Sequence, residues 1–112
     1  MKRAVVTIVI AAMLAAIAPA PLHGADADAL QMGKQAYAAR AFAKAFQLLK
    51  PLAEAGNAEA QRLVGDMHNL GAGVAQDNSA AIEWYWKSAM QGNAQAIEML
   101  GQGMRLFSES TN

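Results

Sequence analysis

The sequence contains no cysteine. That absence excludes disulfides, thiolate metal ligation, a cysteine nucleophile and a lipid-modified cysteine, so packing alone must hold the fold. Histidine is scarce: only His23 and His68 occur, and a metal site needs convergent partners. Charged residues make up 16% of the chain, nine of each sign, and no basic block appears. Phosphate neutralisation needs clustered Lys and Arg, so nucleic acid is not an expected partner. Ser79, Ser88, Ser108 and Ser110 stand in no Gly-x-Ser-x-Gly elbow, and none is followed by Lys three positions later. Gly71 and Gly73 lack the Lys-Ser or Lys-Thr ending of a phosphate loop. Glu54 and Glu59 flank a turn and read as solvated. These absences leave no catalytic set, no metal site and no cofactor to expect.

What is present begins with a leader pattern. Lys2 and Arg3 precede an uncharged apolar run over residues 4–18, and Pro19 and Pro21 end it before Gly24, Ala25 and Ala27. This order of positive, apolar and small residues is that of a secretory signal peptide. The run of 15 residues falls short of the ~20 a membrane-spanning helix needs. The expectation is a signal peptide over residues 1–24 and a periplasmic or secreted protein with no membrane attachment after cleavage. An uncleaved inner-membrane anchor is the alternative. The remaining 88 residues carry nine acidic and seven basic side chains and suffice for one small domain.

That remainder repeats itself. The ten residues from Gly56 to Gly65 are echoed from Gly92 to Gly101, 36 residues on, with five identities. The Gly-Asn opening and the closing Gly recur, while Leu63 and Val64 become Met99 and Leu100. A fixed period of this length marks an array of helical hairpins.

Apolar spacing predicts about five helices. They lie near residues 27–39, 41–55, 58–70, 79–91 and 94–107, with a frayed tail over 108–112. Pro51 falls inside the second, where proline costs ~3 kcal/mol, so a bend or break is expected near Lys50. Gly56 and Gly92 end helices; Asn57, Asn93 and either Asp77 or Asn78 are placed to cap the next. Gly71 and Gly73 suit the positive φ of a tight helix exit, and Gly65 and Gly101 would let two helices approach closely.

Residues 56–101 carry a resemblance. The segments Leu63-Val64-Gly65-Asp66-Met67-His68, Gly71-Ala72-Gly73-Val74, Asp77, Ala81, Trp84-Tyr85, Lys87 and Ala89-Met90-Gln91-Gly92 together resemble one full Sel-1-like repeat. That family is related to the tetratricopeptide repeat and has a longer loop inside each hairpin. Residues 33–61 are similar to the shorter hairpin that often precedes such repeats. The resemblance implies an all-α fold, an α/α solenoid of antiparallel hairpins, spanning residues 25–107 with hairpins near 27–55 and 58–91 and a capping helix over 94–107. It also implies a protein–protein interaction role, often in bacterial envelope or signalling complexes, with Gly56, Gly65, Gly71, Gly73, Asp77, Trp84, Tyr85, Gly92 and Gly101 as structural repeat positions. Some cysteine-rich relatives bind or slowly hydrolyse β-lactams, so a cell-wall or β-lactam hydrolase is the alternative reading. The chain lacks their paired cysteines. His68 stands where the family usually has Tyr, and a packing or surface role is expected of it.

The expected function is therefore an exported interaction module that binds a protein or peptide through a groove or a terminal apolar face. Trp84 and Tyr85 should pack inward, whereas Trp86 lies at the boundary of the apolar face, with Met90 one turn on. On the fifth helix, Ile97, Leu100, Met104 and Phe107 form the stripe expected to pack back on the fourth. Met99 and Leu106 fall nearly opposite, where a capping helix should be polar. Trp86, Met90, Met99 and Leu106 are thus the candidate partner-binding residues, and a homo-oligomer through the C-terminal helix is one expectation. A shortened member of a longer array is another reading of the unpaired fifth helix.

Overall fold

The computed structural model describes residues 24–111, except for the side chains of Leu106, Phe107, Ser110 and Thr111. The expected signal peptide, residues 1–23 of it, lies outside the described residues. Five helices follow in order, and among the described residues there is no strand. They are α1 (Gly24–Ala38), α2 (Phe42–Glu54), α3 (Ala58–Leu70), α4 (Asn78–Met90) and α5 (Ala94–Thr111). Each packs chiefly on its neighbours in the chain, the stacking of a helical-hairpin solenoid.

The joints explain why the helices stop and start where they do. At the end of α2 the amide of Asn57 returns to the carbonyl of Leu52 and that of Gly56 to Ala53, with Gly56 at φ +104°. The end of α4 repeats this through Asn93 to Ser88 and Gly92 to Ala89, with Gly92 at φ +89°. Both bonds consume carbonyls that a helix end leaves unpaired. Each Asn then opens the next helix: Asn57 Oδ1 accepts from the Ala60 amide at 2.8 Å, and Asn93 Oδ1 from the Ala96 amide at 2.9 Å. Two residues therefore close one helix and cap another. Asp77 caps α4 by accepting from the Ala80 amide at 3.0 Å.

The loop between α3 and α4 is longer and leaves α3 through Gly71 in the left-handed region. Gly73, at φ +76°, has a second constraint. A Cβ there would lie 2.7 Å from the Phe42 carbonyl, so the loop reaches back against the start of α2 only because the residue is glycine.

The main core lies among α1, α2 and α3, built on Leu49, Leu63, Val64 and Met67, with Phe46, Tyr37 and Trp84 packed around it. Burying each large apolar side chain is worth roughly 1.5–3 kcal/mol. A smaller cluster of Ala81, Tyr85 and Ala96 joins α4 to α5. Two glycines permit close crossings within this stack. A Cβ on Gly33 would meet the Leu49 side chain at 2.6 Å, and one on Gly65 would meet the Tyr85 ring at 2.8 Å.

Four expectations need correction. Of the bend or break expected near Lys50, no break occurs: α2 runs on through Pro51. Proline removes only the bond to Gln47, whose exposed position lets water satisfy the freed carbonyl, while buried Leu49, Leu52 and Ala53 hold the turn on the core side. α5 continues through Thr111, past the expected tail boundary at 107. Gly101 is no close crossing among the described residues, because none of them lies within 4 Å of a Cβ built there. The face of α5 turned to α4 also differs from the expected stripe. Met99 and Leu100 pack with Ala96 against Ala81 and Tyr85, whereas Ile97 and Met104 are exposed. Fully buried Ala96 is the small residue that lets α5 close on Tyr85, and its i+3 and i+4 neighbours, Met99 and Leu100, follow it inward.

Candidate interaction surface

Two surfaces stand out, and the repeat geometry generates both. The first is the interior joint between α3 and α4. Arg62 pairs with Asp66 at 3.0 Å along α3, and the Tyr85 hydroxyl of α4 donates to Asp66 Oδ1 at 2.5 Å. Burial, then the hydrogen bond to Asp66 and its negative charge, push the Tyr85 phenol far above its ordinary range against the smaller opposing pull of Arg62. Tyr37 is raised as well, first by burial and then by Asp66. Two other polar residues serve the same joint. Ser88 Oγ donates to the Ala58 carbonyl at 2.6 Å, and the Gln91 amide donates to Gln61 Oε1 at 2.9 Å. Gln61 in turn donates to the Ala53 carbonyl at 3.1 Å. Tyr85, Ser88, Gln91 and Gln61 all tie α2, α3 and α4 to one another, while Arg62 Nε stays buried without a partner among the described residues. They form a structural joint rather than an open site.

The second surface is apolar and open. Trp86 and Met90 on α4 and Ile97, Leu100, Gly101 and Met104 on α5 line a groove of ≈ 350 Å³. Met90 is 80% exposed, Met104 65% and Trp86 51%, which is unusual for large apolar side chains lying together. Its makeup follows from the helix period. Trp86 and Met90 lie one turn apart on the side of α4 away from Tyr85, and Ile97, Gly101 and Met104 recur at four and three residues on α5.

Of the sequence-derived candidates, Trp86 and Met90 line this groove. Met99 does not: it is half-buried in the α4–α5 cluster. The side chain of Leu106 lies outside the described residues. Ile97, Met104 and Gly101 complete the groove, and sequence reasoning had assigned all three to internal packing. The repeat offset gives part of the signal. Shifted by 36, buried Ala60, Leu63 and Val64 land on Ala96, Met99 and Leu100, which turns Met99 inward, but buried Gln61 lands on Ile97, so the offset does not announce the exposure of Ile97.

Trp84 is half-buried beside the main core, with Lys87 Nζ 4.3 Å from its ring centre and Lys50 Nζ 5.8 Å away. His68 packs its ring edge-on to Phe46 at 5.9 Å, a packing role. A second concavity, lined in part by Tyr37, Arg40, Phe42, Leu70 and Gly73, opens where the α3–α4 loop reaches back to α2. It carries one formal charge and no convergent set of polar groups. Among the described residues no helix is long and apolar enough to cross a membrane.

Antiparallel hairpins stacked through small residues, with Gly-Asn joints, define a helical-repeat protein. The Sel1 repeat model matches residues 26–57 and 58–93, more than half the chain. The chain belongs to the Sel1 repeat family. No curated protein and no solved structure shows significant similarity to it. Sel1 repeats are helical-repeat modules of protein–protein interaction.

Proposed function

We propose that this protein is an exported scaffold of the bacterial envelope, binding a protein or peptide partner through the open end of its repeat stack. The observation that carries the reading is the groove where Trp86, Met90, Ile97 and Met104 lie exposed together. Fully burying such side chains is worth about 1.5–3 kcal/mol each. Ordering and association costs offset part of that sum, which leaves enough for a specific contact. The leader pattern of residues 1–24 supports export, and the family supports binding over catalysis.

The test is crosslinking and pull-down from an envelope fraction, comparing the native protein with Trp86→Ala. The expected outcome is one or a few proteins captured by the native chain and lost, or reduced at least tenfold, with the variant. Equal capture by both, or recovery of the protein only from the cytoplasm, would reject the reading. So would hydrolytic turnover by the purified protein.

A further inference from the structure

The groove has a template inside the molecule. α5 sits on the hairpin before it as α3 sits on the first: Ala60, Leu63 and Val64 are buried, and so, fully or in part, are their counterparts Ala96, Met99 and Leu100. On α3 the adjoining face is covered by α4. Tyr85 lies over Gly65, and Ala81 lies one turn before it with its carbonyl 3.3 Å from where a Gly65 Cβ would be. Among the described residues nothing covers the same face on α5: none lies within 4 Å of a Cβ position on Gly101, the counterpart of Gly65. The α4 wall of the groove repeats an earlier arrangement too. Trp86 stands 36 residues after Lys50, which lies on α2 and approaches the Trp84 ring of α4, two helices on, at 5.8 Å. The groove therefore continues the internal stacking interface by one step, and the occupant of the preceding step is known in atomic detail.

We infer that the Trp86–Gly101 groove takes an amphipathic helix of a separate partner protein. That helix runs antiparallel to α5 and presents a small residue followed four positions later by an aromatic ring, which lies on Gly101. The inference rests on the binding role proposed above and specifies its ligand. The probe carries phenyl: neutral Gln102 stands on α5 where Asp66 stands on α3, and it donates to Glu98 at 3.4 Å, so the carboxylate that accepts from Tyr85 has no direct counterpart. The α4 of a second copy does not offer this face, because its own Ala81, Tyr85 and Ser88 are buried in its own stack. What a copy exposes on α4 is Ile82, Trp86 and Met90, with no small residue ahead of the ring.

The probe is a terminally blocked peptide of residues 78–91 carrying Tyr85→Phe, titrated into the isotope-labelled full chain and followed by amide and indole NMR. The expected result is shifts centred on Trp86, Ile97, Gly101 and Met104, saturating in the micromolar to low millimolar range, since a free peptide this short must first become helical. A peptide with alanine at the ring position should bind at least tenfold more weakly. Gly101→Leu should abolish binding at an unchanged or higher melting temperature, because the free groove has room for the new side chain. Binding that survives Gly101→Leu, shifts centred elsewhere, or no binding at millimolar peptide would overturn the inference. So would sedimentation showing a dimer that Gly101→Leu dissolves, since the occupant would then be a second copy. If the peptide fails while envelope capture still depends on Trp86, the scaffold reading stands and the helical ligand alone is wrong.

Discussion

Tyr85 is where chemistry and packing meet most tightly in this chain. Its ring covers Gly65 and its hydroxyl donates to Asp66, which Arg62 also holds. Its phenol is raised in the folded state, so the folded chain keeps a proton that the unfolded chain releases near pH 10. The resulting stability is fully present below that pH and falls as pH climbs through it, by at most about 1.4 kcal/mol per pH unit for one group. Tyr85→Phe should lose about 1.5–3 kcal/mol at neutral pH, the range for a hydrogen bond to a charged group. It should also flatten the alkaline decline measured by chemical denaturation between pH 8 and 11.5. Parallel declines in the two proteins would show that Asp66 does not hold the Tyr85 proton. Tyr37 titrates in the same direction and leaves a residual slope in the variant.

At the scale of the element, α1 ends on an exception. The amide of Ala41 returns to the Ala36 carbonyl and that of Arg40 to Tyr37, the bond pattern found at the Gly56 and Gly92 joints. Here the left-handed position is held by Arg40 at φ 63°, the one non-glycine residue with positive φ among the described residues. A side chain in that conformation is strained by about 1–2 kcal/mol, part of which glycine gives back as greater freedom when unfolded. Arg40→Gly should therefore stabilise the protein by about 0.5–1 kcal/mol in a denaturation midpoint, and a loss of stability would refute the strain. Apolar spacing places this joint at residue 40, but its left-handed turn was not legible, because Arg40 stands where glycine usually announces one. The glycine joints were legible, and with them the number and order of helices. Asn57, Asn93 and Asp77 cap as their positions predict. The continuity of α2 through Pro51 was not legible: it depends on which side of the helix faces solvent, and that is settled only by the neighbours. The same holds for the groove. Trp86 and Met90 announce themselves by type, but Ile97 and Met104 look like core in a sequence and are exposed because α5 closes on α4 through Ala96.

At the scale of the whole molecule, cohesion falls from one end to the other. The large cluster ties α1, α2 and α3 together, whereas α5 is held chiefly by α4 through Ala81, Tyr85 and Ala96. Local opening should follow that gradient. In hydrogen exchange, amides in the middle of α5 should exchange on the order of 100-fold or more faster than those around Val64 and Met67 in α3, which lie fully buried. Equal protection would mean that the array opens as one unit. A partner helix in the groove should slow α5 selectively, so the same measurement reports occupancy. The Gly-Asn joints carry a consequence for how such a chain changes length. One residue added or lost inside α5 between Ala96 and Gly101 would turn the rest of that helix by about 100° and break the match between ring and glycine. A duplicated block of 36 residues ends on the joint where it began and restores the register. Growth of such an array is quantised, and each block presents to the next the face on which it was itself laid.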